Sequence, residues 1–157
     1  MIEKIEKGKK IPRKKSSLNN KDCLFAPHVQ AMAKGNYLVI TNSDPVLHNS
    51  HAYLNKTKTA FNLAMPLQGQ KIKKRMRKPG IIDVACDAGH TWMSAYIIVV
   101  AHPYFAVTDE NGAFEISDIP PGKYQLKAWH EKLGTQILEV SVTEKEKTKA
   151  VFDKLKE

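Results

Sequence analysis

Two β-rich runs separated by one short loop constrain this chain more than any other feature. The run Ile81–Ala85 precedes the loop, and the run Ala95–Val100 follows it. Both runs are rich in Ile and Val, the β-branched residues that favour strands. The loop residues Cys86–Met93 are therefore predicted to join two strands at one end of a sheet.

The loop carries three side chains that suit one metal ion. Cys86, His90 and Met93 place a thiolate, an imidazole and a thioether at the spacing Cys-x3-His-x2-Met. Thiolate and thioether are soft ligands that select copper, and imidazole suits copper as well. Two histidines, one cysteine and a weak axial methionine form the blue-copper electron-transfer arrangement. The second histidine must come from elsewhere, and the segment His48–His51 has a histidine at each end.

The residues upstream of that segment have a strand-and-turn pattern of their own. Leu24–His28 leads to a turn signal at Lys34-Gly35, and Tyr37–Thr41 is predicted to form a buried strand. The turn residues Asn42–Pro45 follow, shortly before His48.

This order of motifs resembles that of the cupredoxins. In that family the first ligand histidine follows an Asn-rich turn, and the Asn after it holds the cysteine loop by hydrogen bonding. His48 and Asn49 match those positions. The resemblance covers about residues 22–100 and implies a Greek-key β-sandwich. It also implies a mononuclear copper site formed by His48, Cys86, His90 and Met93. A binuclear copper loop would need a second cysteine where this chain has Ile82.

Other roles for these residues stay open at this stage. Cys23 either pairs with Cys86 in a disulfide, which would consume the thiolate, or lies near the site as an additional thiol. His51 is a fifth ligand, a supporting residue or a solvated side chain. The metal-free alternative makes Cys86 an inert buried thiol, His90 a surface residue and Met93 part of the core. All four ligand types in the expected order favour metal binding.

The C-terminal third has the pattern of a separate β module. Ala106–Ile116 is predicted to form a strand, an Asn-Gly turn and a second strand. Further strands are predicted at Tyr124–His130, Thr135–Val142 and Thr148–Phe152. The phrase TDENGAFEISDIPPGKYQLKAWHE resembles the carboxypeptidase regulatory-like module, a prealbumin-like β-sandwich. That resemblance covers about residues 104–153 and implies a structural or binding role without chemistry.

The predicted fold class is all-β: a Greek-key cupredoxin-like β-sandwich followed by a C-terminal prealbumin-like, carboxypeptidase regulatory-like β module. Residues 1–101 are assigned to the copper-binding domain and residues 102–157 to the module. Within the first domain, residues 1–20 are either a basic arm or the remnant of a first strand. The chain has 157 residues, 42% of them hydrophobic, which is sufficient for this organisation. It has no apolar run long enough to predict a transmembrane helix.

The charge of the chain bears on its partners. Lys and Arg number 25 against 16 acidic residues, giving a net charge of +9. Basic clusters lie at Lys7–Lys15 and Lys71–Lys78. They form either a solvated face or a docking surface for an acidic redox partner such as a cytochrome. No nucleic-acid reading motif accompanies them, so nucleic-acid binding is not predicted.

The predicted function is electron transfer by a periplasmic or extracellular copper protein. The alternative is storage, delivery or structural binding of copper without redox turnover. The start Met1–Lys7 lacks the apolar core of a secretory signal, so a signal is expected to lie outside this sequence. An enzyme is not predicted, because no catalytic Ser-His-Asp order, P-loop or dinucleotide-binding glycine pattern is found.

Overall fold

The computed structural model describes residues 1–5, 8–144 and 146–155. Within those ranges the chain forms eleven strands and no helix, which confirms the predicted all-β, sandwich-type fold. No described helix therefore has the length and apolar character needed to cross a bilayer. The chain divides into two compact units, one of Pro12–Ala101 and one of Met1–Ile11 with His102–Glu157.

The unit Pro12–Ala101 is a sandwich of two sheets. In chain order its strands are β1 (Lys15–Lys21), β2 (Leu24–Ala26), β3 (Val29–Ala33), β4 (Tyr37–Asn42), β5 (His48–Leu54), β6 (Lys58–Met65), β7 (Lys71–Arg75), β8 (Gly80–Ala85) and β9 (Ser94–Val100). One sheet has the order β2-β1-β4-β7 and the other the order β3-β9-β8-β5-β6. The pairs β1–β4 and β3–β9 are parallel, and the remaining pairs are antiparallel. The predicted strands around Tyr37, Ile81 and Ala95 are confirmed.

Alternation of side chains along the strands fills the space between the sheets. On β4, Leu38 and Ile40 are fully buried, whereas Tyr37 on the same strand is exposed. The register places Leu18 of β1 opposite Ile40, so neighbouring strands present apolar residues to the same face. Ile97 of β9 belongs to the same buried cluster, which holds the two sheets together.

The second unit is built on one hairpin, β10 (Gly122–His130) paired with β11 (Gly134–Val142). The start of the chain adds to the open side of β10. Ile2 forms a bridge with Leu126, the Glu3 N–H donates to the Gln125 carbonyl at 2.9 Å, and the Lys127 N–H donates to the Met1 carbonyl at 2.8 Å. Ile2 and Leu126 are buried together with Tyr104. Residues 1–11 thus group with the C-terminal unit, whereas the sequence division placed residues 1–101 together. The assignment of separate roles to two domains stays a prediction.

Three predicted strands in two C-terminal segments are wrong. Ala106–Ile116 and Thr148–Phe152 contain no strand. The turn within the first segment is present, because the Asp109 N–H donates to the Ala113 carbonyl at 3.0 Å. Ile116 and Phe152 nevertheless pack against the buried cluster of this unit. Their apolar pattern therefore reflects loops packed on a core, without pairing to a neighbouring strand.

Candidate metal centre

The sheet register brings the two segments of the candidate centre together. β5 begins at His48, and its neighbour β8 ends at Ala85, which lies opposite His51. Because the two strands are antiparallel, the loop after Ala85 continues toward the start of β5. The loop that begins at Cys86 therefore passes beside His48.

Three of the four predicted ligands meet at this end of the sheet. One donor atom from each of His48, Cys86 and His90 lies within 4.8 Å of the others. The Cys86 Sγ lies 3.6 Å from the His90 Nδ1. The ring centroids of His48 and His90 are 4.7 Å apart. His48 and Cys86 are buried and His90 is half-buried, so the group is accessible from one side only.

Met93 lies in the hydrophobic cluster that also contains Cys86. Its side chain is buried, with a relative exposure of 1%. The Met93 N–H donates to the His90 carbonyl at 3.0 Å, which closes the loop into a tight turn. The structure thus places Met93 below the loop surface, and its part as an axial ligand stays a prediction.

The His48 ring is held by one nitrogen and leaves the other without a partner. Its Nε2 lies 2.8 Å from the Asp44 Oδ2. Its Nδ1 is buried and has no hydrogen-bond partner within the described part of the chain. A carboxylate accepts hydrogen bonds and does not donate them, so in the neutral ring the proton is assigned to Nε2 and Nδ1 keeps its lone pair. A buried unpaired nitrogen is costly unless a further group uses it, and a metal ion would do so.

Asp44 is a residue of the candidate site that sequence reasoning missed. Its carboxylate accepts the Asp22 N–H at 2.8 Å and the Cys23 N–H at 3.0 Å, in addition to the His48 contact. Burial raises the pKa of the Asp44 carboxyl, but the amides of Cys23 and Asp22 and the His48 ring outweigh burial and lower the pKa below its ordinary value. The group is therefore ionised at neutral pH. The available signal was a charged residue in the turn four positions before a predicted ligand.

The contact from Asp44 also stabilises the turn between β1 and β2. Asp22 and Cys23 have φ values of 56° and 54°, and they form the two-residue connection of this hairpin. Positive φ at both central residues is the geometry of type I′ hairpin turns, which most side chains disfavour. Hydrogen bonds from both turn amides to one carboxylate compensate for that disfavoured backbone.

Asn49 holds the cysteine loop, as the resemblance implied. Its backbone N–H lies 3.3 Å from the Cys86 Sγ and donates to it. Its side-chain Oδ1 accepts the Asp87 N–H at 3.5 Å. The two contacts hold the Cys86 sulfur and the start of its loop against β5.

Of the remaining candidates, His51 is separated from the group of three, whereas Cys23 lies beside it. His51 is three residues after His48, so the alternation of β5 points the two rings to opposite faces. The His51 Nδ1 lies 2.6 Å from the Asp87 Oδ2, and its ring stacks on Tyr53 at 4.0 Å. Cys23 and Cys86 are both free thiols, so no disulfide joins them. Donor atoms of Cys23, Asp44 and His48 lie within 4.8 Å of one another, which places Cys23 beside the site.

Comparisons with known proteins cover parts of the chain. Residues 77–150 match the family described as polysaccharide lyase family 4, domain II, which is less than half of the sequence. Among curated proteins no relative matches. The carboxypeptidase regulatory-like assignment of the C-terminal module is not confirmed and stays a prediction.

Solved structures similar to this chain include several copper proteins. A purple cupredoxin from Nitrosopumilus maritimus is 19% identical, with a TM-score of 0.46, over 54% of this chain and 99% of that one. A mutant of amicyanin in the Cu(I) state is 16% identical, with a TM-score of 0.46, over 54% of this chain and 81% of that one. A copper-containing nitrite reductase from Thermus scotoductus is 18% identical, with a TM-score of 0.47, and the match covers 61% of this chain and 25% of the reductase.

Substitution of Asp44→Asn tests its support of His48. The amide keeps the size of the side chain but removes its charge and one of its acceptor oxygens. We expect the dissociation constant for copper to rise about 10- to 100-fold, as for other residues that orient a ligating histidine. The measurement is competition for copper against a chelator of known affinity. Asp22→Asn is the matched control, because it removes the same charge nearby while its backbone contact to Asp44 remains. An equal loss of affinity in both variants would contradict the role of Asp44.

Proposed function

We propose that the unit Pro12–Ala101 is a cupredoxin-like copper protein that carries single electrons. The proposed ligands are His48, Cys86, His90 and Met93. The observation that best supports the proposal is the buried, unpartnered Nδ1 of His48, in a group that also contains the donors of Cys86 and His90. One thiolate and two imidazoles suit copper, and a nearby thioether adds a weak fourth donor.

Bound copper would supply a one-electron couple between its two oxidation states. The described residues prepare a site of fixed geometry for it. Asp44 sets the proton on Nε2 of His48, and the Asn49 N–H fixes the sulfur of Cys86. Both ligands are buried in the sandwich, so they resist rearrangement when the charge of the site changes. A site that does not rearrange favours rapid electron transfer over ligand exchange.

Electron exchange needs a route to the surface, and His90 lies at the solvent side of the proposed centre. The His90 ring is half-buried and meets the Trp92 ring edge-on, with centroids 5.4 Å apart. Trp92 is 61% exposed, and its Nε1 donates to the Cys23 carbonyl at 3.0 Å. The ring is therefore held in place although it faces water. We propose that the electron enters and leaves through this side.

A second candidate function is capture or delivery of copper without redox turnover. The specific observation in its favour is the free thiol of Cys23 beside Asp44 and His48. An additional thiol near the centre would favour Cu(I), which prefers soft ligands. The optical spectrum and the reversibility of the copper couple distinguish the two candidates.

We propose an acidic redox partner, such as a cytochrome, for the basic outer face of the sheet β2-β1-β4-β7. Lys71, Lys73 and Arg75 alternate along the edge strand β7 and are exposed. Lys15 and Arg75 lie on either side of Tyr37 in the register, and all three side chains are exposed. Such a one-signed face steers an acidic protein toward encounter. The proposal includes a periplasmic or extracellular location and no catalytic turnover of a substrate.

Substitution of Cys86→Ser tests the thiolate ligand. Wild-type protein with added Cu(II) is expected to show an intense charge-transfer band in the visible spectrum, and the variant is expected to lose it. The fold should remain, because the loop lies at the end of the sheet. Cys23→Ser is the control and should keep the band. A colourless wild-type complex would favour copper delivery, and a fully coloured Cys86→Ser variant would reject Cys86 as a ligand.

Substitution of Met93→Gln tests the axial position. The other three ligands carry most of the affinity, so copper should stay bound while the reduction potential and the absorption maximum shift. Potentiometric titration of the copper-loaded wild type and variant measures the shift. Met32→Gln, another buried methionine in the same core cluster, is the control for packing changes. If both variants leave the potential unchanged, Met93 is a core residue only.

Neutralising the outer face tests the partner proposal. In Lys71→Gln/Lys73→Gln, the second-order rate of electron transfer with a small acidic cytochrome should fall about tenfold at low ionic strength. The difference from wild type should disappear as salt screens the charges. Lys123→Gln/Lys132→Gln removes the same charge from exposed positions of the other unit and should leave the rate nearly unchanged. Equal slowing by both pairs would mean that net charge alone controls the encounter.

A further inference from the structure

The sandwich is open between the edge strands of its two sheets. β6 ends one sheet and β7 ends the other, and neither has a further strand beside it in the described residues. A cavity of about 270 Å³ lies there. Its walls come from Lys58–Phe61 at the start of β6 and from Lys74–Lys78 at the end of β7 and beyond it. This site lies in the unit Pro12–Ala101 and uses none of the proposed copper ligands.

The wall of this cavity carries positive charge without compensation. The lining contains no Asp or Glu, and its cations are Lys58, Lys74, Arg75, Arg77 and Lys78. None of these five forms an ion pair with any residue that the structure describes. Arg75 donates from Nε to the Gly35 carbonyl at 3.0 Å, which fixes its side chain. Five clustered cations repel one another, so a bound anion would relieve that repulsion.

The floor of the cavity is apolar. Phe61, Met76 and Ile82 line it and belong to the buried core, with exposures of 5%, 5% and 2%. Leu54 completes the apolar part of the lining. A ligand that carries both an anionic group and an apolar group therefore matches the walls and the floor together.

Protection of sheet edges accounts for only part of this charge. Lysines on edge strands, including inward-pointing ones, prevent pairing with other chains. That explanation suits Lys58 on β6 and Lys74, which lies opposite Leu38 on the core-facing side of β7. It does not apply to Arg77 and Lys78, which lie beyond the end of β7 where no ladder edge needs protection.

We propose that this cavity binds a small organic phosphate. The phosphate oxygens would contact the Lys and Arg side chains, which match them in charge and geometry. The organic group would lie against Phe61 and Met76. A volume of about 270 Å³ lies just below the range of about 300–1,000 Å³ usual for ligand sites, so the ligand is small. The same chemistry is offered by a soluble phosphate ester and by the headgroup of an anionic phospholipid.

Titration of the full chain with two soluble probes tests the proposal. Inorganic phosphate probes the charge alone, and phenyl phosphate probes the charge together with the apolar floor. We expect phenyl phosphate to bind about tenfold more tightly, because its ring leaves water. Amide shifts in nuclear magnetic resonance spectra should concentrate at Phe61, Met76 and their neighbours. Phenyl phosphate binding no tighter than inorganic phosphate, or shifts spread over the whole surface, would overturn the proposal for soluble esters.

Two double variants that remove the same charge distinguish a specific binding site from general electrostatic attraction. Lys74→Gln/Arg77→Gln alters the lining, whereas Lys71→Gln/Lys73→Gln alters residues outside the lining. The first pair should weaken phenyl phosphate binding about tenfold and the second less than about twofold, with both variants folded by circular dichroism. Equal weakening by both pairs would overturn the proposal.

A vesicle-binding experiment distinguishes a soluble phosphate ester from a phospholipid headgroup. Protein is sedimented with vesicles of phosphatidylcholine alone or mixed with phosphatidylglycerol. Binding to the mixed vesicles that is lost in Lys74→Gln/Arg77→Gln, without phenyl phosphate binding, would assign the site to lipid headgroups. Phenyl phosphate binding with no vesicle binding would assign it to a soluble ester. Absence of both would overturn the proposal whether or not copper binds.

Discussion

The buried carboxylate of Asp44 is the interaction on which the rest of the candidate centre depends. It accepts hydrogen bonds from the amides of Asp22 and Cys23 and from the His48 ring. Its own N–H donates to the Oδ1 of Asn42 at 2.9 Å. A buried charge is tolerated only when such contacts replace water, so these groups must be in place together. Asp44 thus connects three places: its carboxylate joins a hairpin turn to the first residue of β5, and its backbone N–H joins both to the end of β4.

The sequence was sufficient for the parts of the site that depend on local pattern. The loop Cys86–Met93 lies between two strands, as the apolar runs on either side predicted. The meeting of His48 with that loop required the order of motifs in a known family, because nothing local connects residues so far apart. The separation of His51 from His48 had a signal in the sequence. Three positions along a strand reverse the face, and His48 lies on the buried one.

Asp44 and the C-terminal unit depend on contacts between distant segments, which sequence patterns do not reveal. The contact between Asp44 and Cys23 depends on the parallel pairing of β1 with β4, which brings Asn20 opposite Asn42. No periodicity encodes that pairing. The addition of Met1–Glu3 to β10 likewise joins the two ends of the sequence. A hairpin alone buries too little apolar surface to be stable, so long-range packing decides which segments complete it.

Gly8 shows how the N-terminal segment is held in the C-terminal unit. A Cβ at Gly8 would lie 2.3 Å from the Tyr104 hydroxyl oxygen, closer than any side chain allows. The Lys9 N–H donates to the same hydroxyl at 2.7 Å. The N-terminal segment therefore packs directly on the ring of a buried tyrosine, and only glycine permits that approach.

Strand alternation also gives the basic run Lys71–Lys78 two separate surfaces. Lys73 and Arg75 lie opposite Val39 and Tyr37 on the outer face, and Lys73 covers the Tyr37 ring at 4.0 Å. Ile72 and Lys74 lie opposite Ile40 and Leu38, on the face that turns toward the core. Since neighbouring residues point to opposite sides, an anion held in the cavity would leave Lys71 and Lys73 free for a protein partner, whereas Arg75 borders both surfaces. Both surfaces nevertheless include residues of the single strand β7. A bound phosphate would lower the local positive potential on both sides, so the proposed cavity and the proposed docking face are coupled electrostatically within about one Debye length.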